Sequence, residues 1–250
     1  RPATTAPRAA VYDEGLRAYM NKVYSLMTAG MAVSAAVAWG FAEMAGGPGA
    51  WTEFGRVIYQ SPVRWVIMFL PLLMVFAFGA ALNRLSTQGA TLMFYAFAAA
   101  MGASLSSIFL RYTDASIVTT FLATAGGFAA LSLYGYTTKR DLTAMGRFLI
   151  IGLVGLIIAM IVNIFVGSGA VAFAISTIGV LIFAGLTAYD TQRIKNTYLE
   201  LAASNSDFIG KSAIMGALTL YLDFLNLFTF LLSSRLFIEP RELLARVCHL

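Results

Sequence analysis

The sequence predicts an all-α integral membrane protein with seven transmembrane helices. Hydrophobic residues make up 59% of the 250 residues and charged residues only 12%, and the mean hydropathy is +0.78. The chain contains seven apolar runs close to the length of about 20 residues that a helix needs to cross a bilayer. None of them shows the strict alternation that is typical of barrel strands, so each is predicted to be a helix.

The seven runs follow one another along the chain with short connections. They are Val23–Ala42, Trp65–Leu82, Gly89–Leu110, Ile117–Tyr134, Phe148–Val166, Val171–Tyr189 and Ala213–Leu232. We expect a single membrane domain over residues 23–232, with an N-terminal cytoplasmic tail at 1–22 and a C-terminal tail at 233–250. The longest predicted loop is Gly46–Arg64, and the polar segment Thr191–Ser212 is predicted to be a cytoplasmic loop.

The distribution of basic residues predicts the orientation of these helices. With the N-terminus in the cytoplasm, eleven of the 17 Lys and Arg residues fall on the cytoplasmic side and six on the other. Because cytoplasmic loops carry an excess of Lys and Arg, this bias favours a cytoplasmic N-terminus. The short loops are typical of a bacterial inner membrane protein.

The composition also excludes several classes of function. The net charge of +5 comes from basic residues beside the ends of apolar runs, so it indicates membrane orientation and not nucleic-acid binding. Cys248 and His249 are the only cysteine and histidine, which excludes an intrachain disulfide and a histidine-based triad or zinc site. Phosphate loops and nucleophile elbows are absent. We expect no enzyme activity and no cofactor, with the lipid bilayer as the main partner.

The seventh run carries a polar stripe on one helical face. Gly216, Thr219, Asp223, Asn226 and Ser233 follow helical spacing, while the other faces are Leu, Phe and Tyr. A carboxylate at mid-membrane is unfavourable by about 2.5–3.5 kcal/mol on insertion scales, so the stripe must face protein or water. We therefore expect this helix at the centre of a bundle or beside a water-filled cavity. The alternative is a protonated Asp223 that only holds helices together.

Two further charged groups are candidates for the same region. Asp190 closes the sixth apolar run and Arg84 follows the second, and the predicted orientation puts both at the cytoplasmic side. They could therefore meet Asp223 near the inner leaflet. A local alternative is that Asp190 pairs with Arg193, three residues later on the helix. Asn163 in the fifth run is a candidate pathway-lining residue, as are Thr219 and Asn226 in the seventh.

Two segments, GLTAYDTQRIK and LYLDFLNLF, resemble the signature segments of the Bax inhibitor-1 family, also called the transmembrane Bax inhibitor motif family. AYMNKVYSLMTAGM and FYAFAAAMGASLSSIF are similar to bacterial members. The resemblance implies seven helices with the last surrounded by the other six. It also implies that Asp190 and Asp223 form a pH-sensitive pair in a calcium leak pathway, with Arg84 as a latch. One departure is that LPLLMVFAF, around Leu73, lacks an acidic residue found in a bacterial relative.

The chemistry of such a pair explains how protons could control the passage of calcium. Two carboxylates within a few ångströms in a low dielectric cannot both ionise easily, and a nearby guanidinium favours the ionised form. Charged Asp190 paired with Arg84 would hold the second helix over the pathway, and protonation would weaken this latch. Two carboxylates suit weak Ca²⁺ binding only, with Ca²⁺ as the permeant ion and protons as the regulator.

Three alternatives to the leak channel come from other classes of protein. A non-conducting regulator would bind a membrane protease or another protein partner. A proton-coupled transporter would use the same paired carboxylates. An intramembrane aspartyl protease is the least favoured, because bulky Leu220, Tyr221 and Leu222 precede Asp223 where such enzymes have glycines.

Overall fold

The computed structural model describes residues 6–47, 50–81, 84–201 and 206–238. Over this part of the chain there are seven long helices and no strand. They are α1 (Ala6–Ala45), α2 (Val63–Ala81), α3 (Thr87–Leu105), α4 (Asp114–Thr137), α5 (Thr143–Val166), α6 (Gly169–Leu201) and α7 (Ser206–Ile238). Every predicted apolar run falls largely within one of them, and all seven are long and apolar enough to cross a membrane. The all-α class and the seven spans are confirmed.

The outer surface of these helices is apolar. The side chain of Ile164 on α5 is 78% exposed and that of Phe165 is 85% exposed. Contiguous large apolar side chains at this exposure would drive a water-soluble protein to associate, whereas in a bilayer they contact acyl chains. By contrast, 56% of an 18-residue apolar stretch of α7 is buried, a larger share than in the corresponding stretch of any other candidate span. The central position expected for α7 stays a prediction.

The helices extend beyond the apolar runs that identified them. α6 continues past the predicted end at Tyr189 to Leu201, and α7 begins at Ser206 rather than Ala213. The predicted loop Thr191–Ser212 is therefore wrong, since most of it is helical. α1 likewise begins at Ala6 and continues without a break through the predicted tail boundary at residue 22. Hydropathy marks where a helix leaves the lipid, but the helical hydrogen bonds continue into water where the residues permit it.

Short helical segments occupy two of the connections. The predicted loop Gly46–Arg64 contains a helical turn, Glu53–Gly55, followed by a π-helical turn, Arg56–Gln60. Thr52 caps the first of these, since its hydroxyl accepts a hydrogen bond of 3.1 Å from the Gly55 N–H. α3 is followed by another short helix, Ile108–Arg111. Cys248, His249 and most of the C-terminal tail at 233–250 lie outside the described residues.

The chain divides into two compact units, of which the first comprises Arg1–Arg111 and Ile194–Tyr221. In this unit α1 and α3 approach closely where one of them has no side chain. A Cβ on Gly102 would overlap the backbone carbonyl oxygen of Ser34, and a Cβ on Gly30 would lie 2.7 Å from the Phe94 ring. Small residues therefore provide the close helix packing that is usual in lipid.

A buried hydrogen bond connects α1 with α7 inside the first unit. The Tyr221 hydroxyl lies 2.6 Å from Ser34 Oγ, and the Ser34 hydroxyl donates to the Ala98 carbonyl at 2.7 Å. Because a serine hydroxyl has one proton, Tyr221 is the donor when Ser34 donates to Ala98. The Tyr221 ring makes edge-to-face contacts with Phe94 and Phe97, both at 5.8 Å between centroids. Three helices therefore meet at this tyrosine.

Tyr221→Phe is expected to destabilise the protein by about 1 kcal/mol, because it removes one buried hydrogen bond and keeps the ring contacts. Thermal unfolding of the purified protein in detergent measures the effect as a lower Tm. Tyr134→Phe is the matched control, since the Tyr134 side chain is 48% exposed. An unchanged Tm for Tyr221→Phe, or an equal fall for the control, would contradict this account of the Ser34 contact.

The second unit comprises Tyr112–Arg193 and Leu222–Leu250. Its apolar core lies where α5, α6 and α7 meet, and it is built from Leu156, Ile175, Ile182, Phe183, Leu186 and Leu227. α4 and α6 approach closely at Gly135, where a Cβ would overlap the carbonyl oxygen of Ala188. This close approach places α4 beside the turn of α6 that carries Asp190.

Candidate functional site

Two carboxylates from different helices meet in the second unit. Asp190 on α6 is 7% exposed and Asp223 on α7 is 5% exposed. Their side chains are hydrogen-bonded to each other. An ionised carboxylate has no donor, so a hydrogen bond between two carboxyl groups requires a proton on one of them. This hydrogen bond therefore forms only while one of the two carboxyl groups is protonated.

One oxygen of the pair has no partner. Asp223 Oδ2 is buried and makes no hydrogen bond to any described residue. Leaving a buried polar atom unsatisfied costs about 1–3 kcal/mol. This oxygen is therefore the atom of the pair at which a water molecule, a proton or a cation would gain most by binding.

Arg193 is the cation that the structure places beside this pair. Its Nη1 atom lies 3.9 Å from Asp190 Oδ1, and the arginine side chain is 66% exposed. Ion pairs this long and this exposed contribute about 0–1 kcal/mol. The local alternative from the sequence is thus present, but it gives Asp190 only weak compensation. Arg84 is exposed in the turn after α2, where its N–H donates to the Ala81 carbonyl at 2.9 Å. It belongs to the first unit, and its role as a latch stays a prediction.

α4 forms one wall beside the carboxylates. Ser132 Oγ on α4 lies 2.9 Å from Thr191 Oγ1, the hydroxyl next to Asp190 in the chain. The Thr191 hydroxyl is also within 2.8 Å of the Thr187 carbonyl, one turn earlier on α6. Both threonines are fully buried. The polar groups of this wall are therefore hydroxyls, which can donate or accept a hydrogen bond without carrying charge.

Aromatic rings pack between α7 and α4 at the residue that follows Asp223. Phe224 follows Asp223 on α7, and its ring contacts Phe121 and Phe128 of α4 edge to face at 5.4 and 5.5 Å. Phe224 itself is only 2% exposed. Rings packed in this way keep water out and lower the local dielectric, which makes a second negative charge on the pair more costly.

Gln192 connects the loop between α4 and α5 to the segment with Asp190. Its Oε1 accepts a hydrogen bond of 2.9 Å from the Leu142 N–H, and its Nε2 donates to the Arg140 carbonyl at 2.8 Å. Neither hydropathy nor helical spacing indicates a role for this residue. The available signal was an amide, with both a donor and an acceptor, two residues after the acidic residue in AYDTQR.

Thr219 and Asn226 are bonded within their own helix. The Thr219 hydroxyl donates to the Met215 carbonyl at 3.0 Å, and Asn226 Nδ2 donates to the Leu222 carbonyl at 2.8 Å. Both side chains are half-buried. Within the polar stripe of α7, the Asp223 side chain forms a hydrogen bond to another helix, through Asp190 on α6. A role for Thr219 and Asn226 in lining a pathway stays a prediction.

Asn163 has a structural role at the end of α5. Its Oδ1 accepts a hydrogen bond of 3.2 Å from the Ser168 N–H. Between them Gly167 has a φ of 67°, the left-handed conformation that commonly ends a helix. The asparagine side chain thus satisfies a backbone donor just beyond the helix, and its predicted place on a pathway is untested.

The carboxylate pair alone is a poor resident metal site. Among the described residues, no group of three or more His, Cys, Asp or Glu side chains could hold a metal ion. Calcium takes six to eight oxygen ligands in its tight sites, and two carboxylates supply at most four. The arrangement suits brief contact with a cation better than storage of one.

The chain is similar to one protein family and to several bacterial proteins. A family model described as inhibitor of apoptosis-promoting Bax1 matches residues 16–237. The chain is 43% identical over 223 residues to an uncharacterized protein of Caulobacter vibrioides, covering 88% of this chain and 89% of that one. It is 42% identical over 219 residues to the inner membrane protein YbhL of Escherichia coli, covering 87% and 91%. An uncharacterized membrane protein of Streptococcus pyogenes is 36% identical over 221 residues, covering 88% and 93%.

Proposed function

The chain belongs to the Bax inhibitor-1 family, and from this premise we propose that it is a pH-sensitive calcium leak channel of the bacterial inner membrane. The observation that carries the proposal is the buried hydrogen bond between Asp190 and Asp223 in two membrane-spanning helices. A titratable pair in that position is a means of coupling proton binding to helix arrangement. The cytoplasmic N-terminus is part of the same proposal.

The shared proton is the basis of the pH response. While the pair holds its proton, the hydrogen bond keeps α6 and α7 together and limits the charge at the site. Loss of the proton leaves two negative charges in a setting of buried hydroxyls and aromatic rings, where one unit charge affects another by about 4 kcal/mol at 4 Å and an effective dielectric of 20. A cation relieves this repulsion, and both Ca²⁺ and a guanidinium have the required charge.

The latch decides which cation compensates Asp190. We assign this role to Arg84, so that ionised Asp190 is held by the arginine and the pathway is closed, while protonated Asp190 releases it. The Arg193 pair, long and exposed, is too weak to serve the same purpose. Arg84→Gln is therefore expected to raise calcium leak at neutral and alkaline pH, whereas Arg193→Gln leaves the pH profile close to that of the parent. Equal profiles for the two variants would contradict the latch.

The unpartnered Asp223 Oδ2 is the atom that we assign to contact with the permeating ion. Ca²⁺ prefers carboxylate oxygens, and a site with few ligands binds it weakly enough for release. Conduction needs this balance between entry and exit. Neighbouring hydroxyls such as Thr191 can supplement the carboxylate oxygens, but they add no charge that would trap the ion.

Calcium flux into proteoliposomes tests the proposal directly. The purified full chain is reconstituted into vesicles that contain a trapped calcium indicator. The initial rate of calcium entry is measured from about pH 5 to about pH 8 and compared with that of protein-free vesicles. We expect a protein-dependent rate that rises as the pH falls.

Two other outcomes identify the rival functions. Flux equal to that of protein-free vesicles at every pH, together with capture of a defined membrane protein by the tagged chain, would show a non-conducting regulator. Calcium accumulation against its own gradient only when a proton gradient is imposed would show a proton-coupled transporter. Either result would overturn the leak channel.

A further inference from the structure

A cavity of about 370 Å³ opens in the first unit beside the beginning of α2. Its walls come from the π-helical turn Arg56–Gln60, the first turns of α2, and the end of α3 with the short helix after it. The polar and aromatic side chains that line it include Tyr59, Arg64, Trp65 and Arg111. This cavity lies apart in sequence from Asp190 and Asp223, and the proposed channel function does not use it.

The charges in the cavity are all of one sign. Arg64 and Arg111 both line it, and none of its lining residues is acidic. The Arg64 guanidinium carbon lies 4.9 Å from the centroid of the Trp65 ring, which orients the side chain through a cation–π contact. Burial raises the pKa of the Tyr59 phenol, so this group also adds no negative charge. Two guanidinium groups at one cavity without a carboxylate favour an anion.

Hydrogen bonds that do not involve the arginine side chains connect the walls of the cavity. The Tyr59 hydroxyl donates to Ser106 Oγ at 2.6 Å, and the Ser106 hydroxyl donates to the Ala103 carbonyl at 2.6 Å. These bonds connect the π-helical turn to the end of α3. The cavity is therefore a fixed feature of the connection, and π-helical turns of this kind occur frequently at functional sites.

The cavity continues onto an apolar row along α2. Trp65, Phe69, Leu72 and Phe76 recur at helical spacing, and their side chains are between 48% and 69% exposed. The rings of Trp65 and Phe69 are stacked, with 6.3 Å between centroids and 15° between planes. Of the two arginines that line the cavity, Arg64 is the second residue of the candidate membrane span Val63–Ala81, and Arg111 is the last residue of the span Thr87–Arg111. The cationic cavity thus lies at a membrane surface, with an apolar track leading from it into the hydrocarbon.

We propose that this cavity is a binding site for an anionic glycerophospholipid. Arg64 and Arg111 contact the phosphodiester, for which the planar guanidinium offers paired donors. One acyl chain lies along the row that begins at Trp65. Neither a free phosphate ion nor an apolar molecule would use both features, whereas a phospholipid uses both.

Native mass spectrometry of the full chain in detergent tests the proposal. The probes are phosphatidylglycerol and phosphatidylcholine with identical acyl chains, titrated separately. The double variant Arg64→Gln/Arg111→Gln is expected to weaken phosphatidylglycerol binding by about tenfold or more, since it removes the charge-assisted hydrogen bonds to the phosphodiester. Phosphatidylcholine binding should change less. Both arginines are exposed, so an unchanged Tm is expected and is measured alongside.

Two further variants separate the cavity from general surface charge. Arg56→Gln is the matched control, because Arg56 lies in the same π-helical turn but does not line the cavity; its phosphatidylglycerol binding should equal that of the parent. Ser104→Leu narrows the cavity with both arginines intact and should weaken binding. Equal loss in Arg56→Gln, or parental binding in either Ser104→Leu or the double arginine variant, would overturn the site.

A competition experiment distinguishes binding of a phospholipid headgroup from binding of free inorganic phosphate. Millimolar inorganic phosphate is added to the phosphatidylglycerol complex, with Leu72→Asn/Phe76→Asn as a second sample in which the apolar row is interrupted. We expect little displacement by phosphate and weaker lipid binding in the second sample. Complete displacement by phosphate, or parental lipid binding without the row, would show that the cavity takes a free anion and would refute the lipid assignment.

Discussion

Proteoliposomes containing Asp190→Asn are expected to leak calcium at a rate that no longer depends on pH. Asparagine has nearly the shape of a protonated aspartate and cannot ionise, so the variant stays in the released arrangement at every pH. Its rate at alkaline pH should therefore match that of the parent at acidic pH. If the proposed ion pair between Asp190 and Arg84 stabilises the closed arrangement by about 1.5–3 kcal/mol, the calcium leak rate of the variant at alkaline pH should exceed that of the parent by about tenfold or more.

Asp223→Asn should have a different effect on the same measurement. Asp223 Oδ2 has no hydrogen-bond partner among the described residues, and in the proposed channel its removal takes a negative charge away from the place where the cation would pass. One unit charge at 4 Å is worth about 4 kcal/mol at an effective dielectric of 20, so calcium flux should fall by at least about tenfold at all pH values. The two substitutions thus separate the control of the leak from the passage of the ion.

Asp141→Asn is the matched control for both variants. Asp141 is an exposed carboxylate in the loop before α5, where its Oδ1 accepts a hydrogen bond of 2.9 Å from the Thr143 N–H. Hydrogen bonding from the Thr143 side chain, together with this backbone bond, holds the pKa of the Asp141 carboxyl below its usual value. Asparagine can accept the same bond, so this variant should retain the parental pH profile. Parental profiles for Asp190→Asn and Asp223→Asn would contradict the proposed function.

Gly135→Ala is expected to destabilise the second unit strongly. The added methyl would overlap the backbone carbonyl oxygen of Ala188 on α6, and a backbone atom cannot turn aside as a side chain can. Overpacking of this kind costs about 1–3 kcal/mol, and the required separation of α4 and α6 would displace the turn with Asp190. The expected result is a lower Tm of the purified protein in detergent, with altered calcium flux.

Gly127→Ala provides the comparison within the same helix. Nothing lies within 4 Å of a Cβ built at Gly127, so the added methyl meets no protein atom. In a helix interior alanine is favoured over glycine by about 0.5–1 kcal/mol, so this variant should be as stable as the parent or slightly more so. Equal Tm values for Gly135→Ala and Gly127→Ala would show that contact with Ala188 does not limit how closely α4 packs against α6.

Part of the candidate site was predictable from helical spacing. Asp190 and Asp223 were identified because charged groups in apolar runs are rare and costly, and the structure brings their side chains together. Asn163 shows the limit of the same reasoning. An amide in an apolar run indicates a polar contact, but only the coordinates show that its partner is the Ser168 N–H at a helix end.

The contacts that surround the pair were not predictable, because each depends on residues far apart in the chain. Gln192 connects to Leu142 and Arg140 across a loop, and Ser132 reaches Thr191 from another helix. Hydropathy and spacing describe one segment at a time. They also do not choose between Arg84 and Arg193 as the partner of Asp190, since both are arginines at suitable ends of helices.

The number, kind and approximate position of the membrane-spanning helices follow from local amino-acid composition. Transfer into lipid depends on each residue's own side chain, and a backbone in lipid must satisfy its hydrogen bonds within the helix, so local composition is sufficient. The coordinates were needed to see how far α6 and α7 extend beyond their apolar runs, which carboxyl groups are hydrogen-bonded to each other, and which glycines admit a neighbouring backbone. These features arise from packing between helices, and packing depends on distances that no single segment of the chain contains.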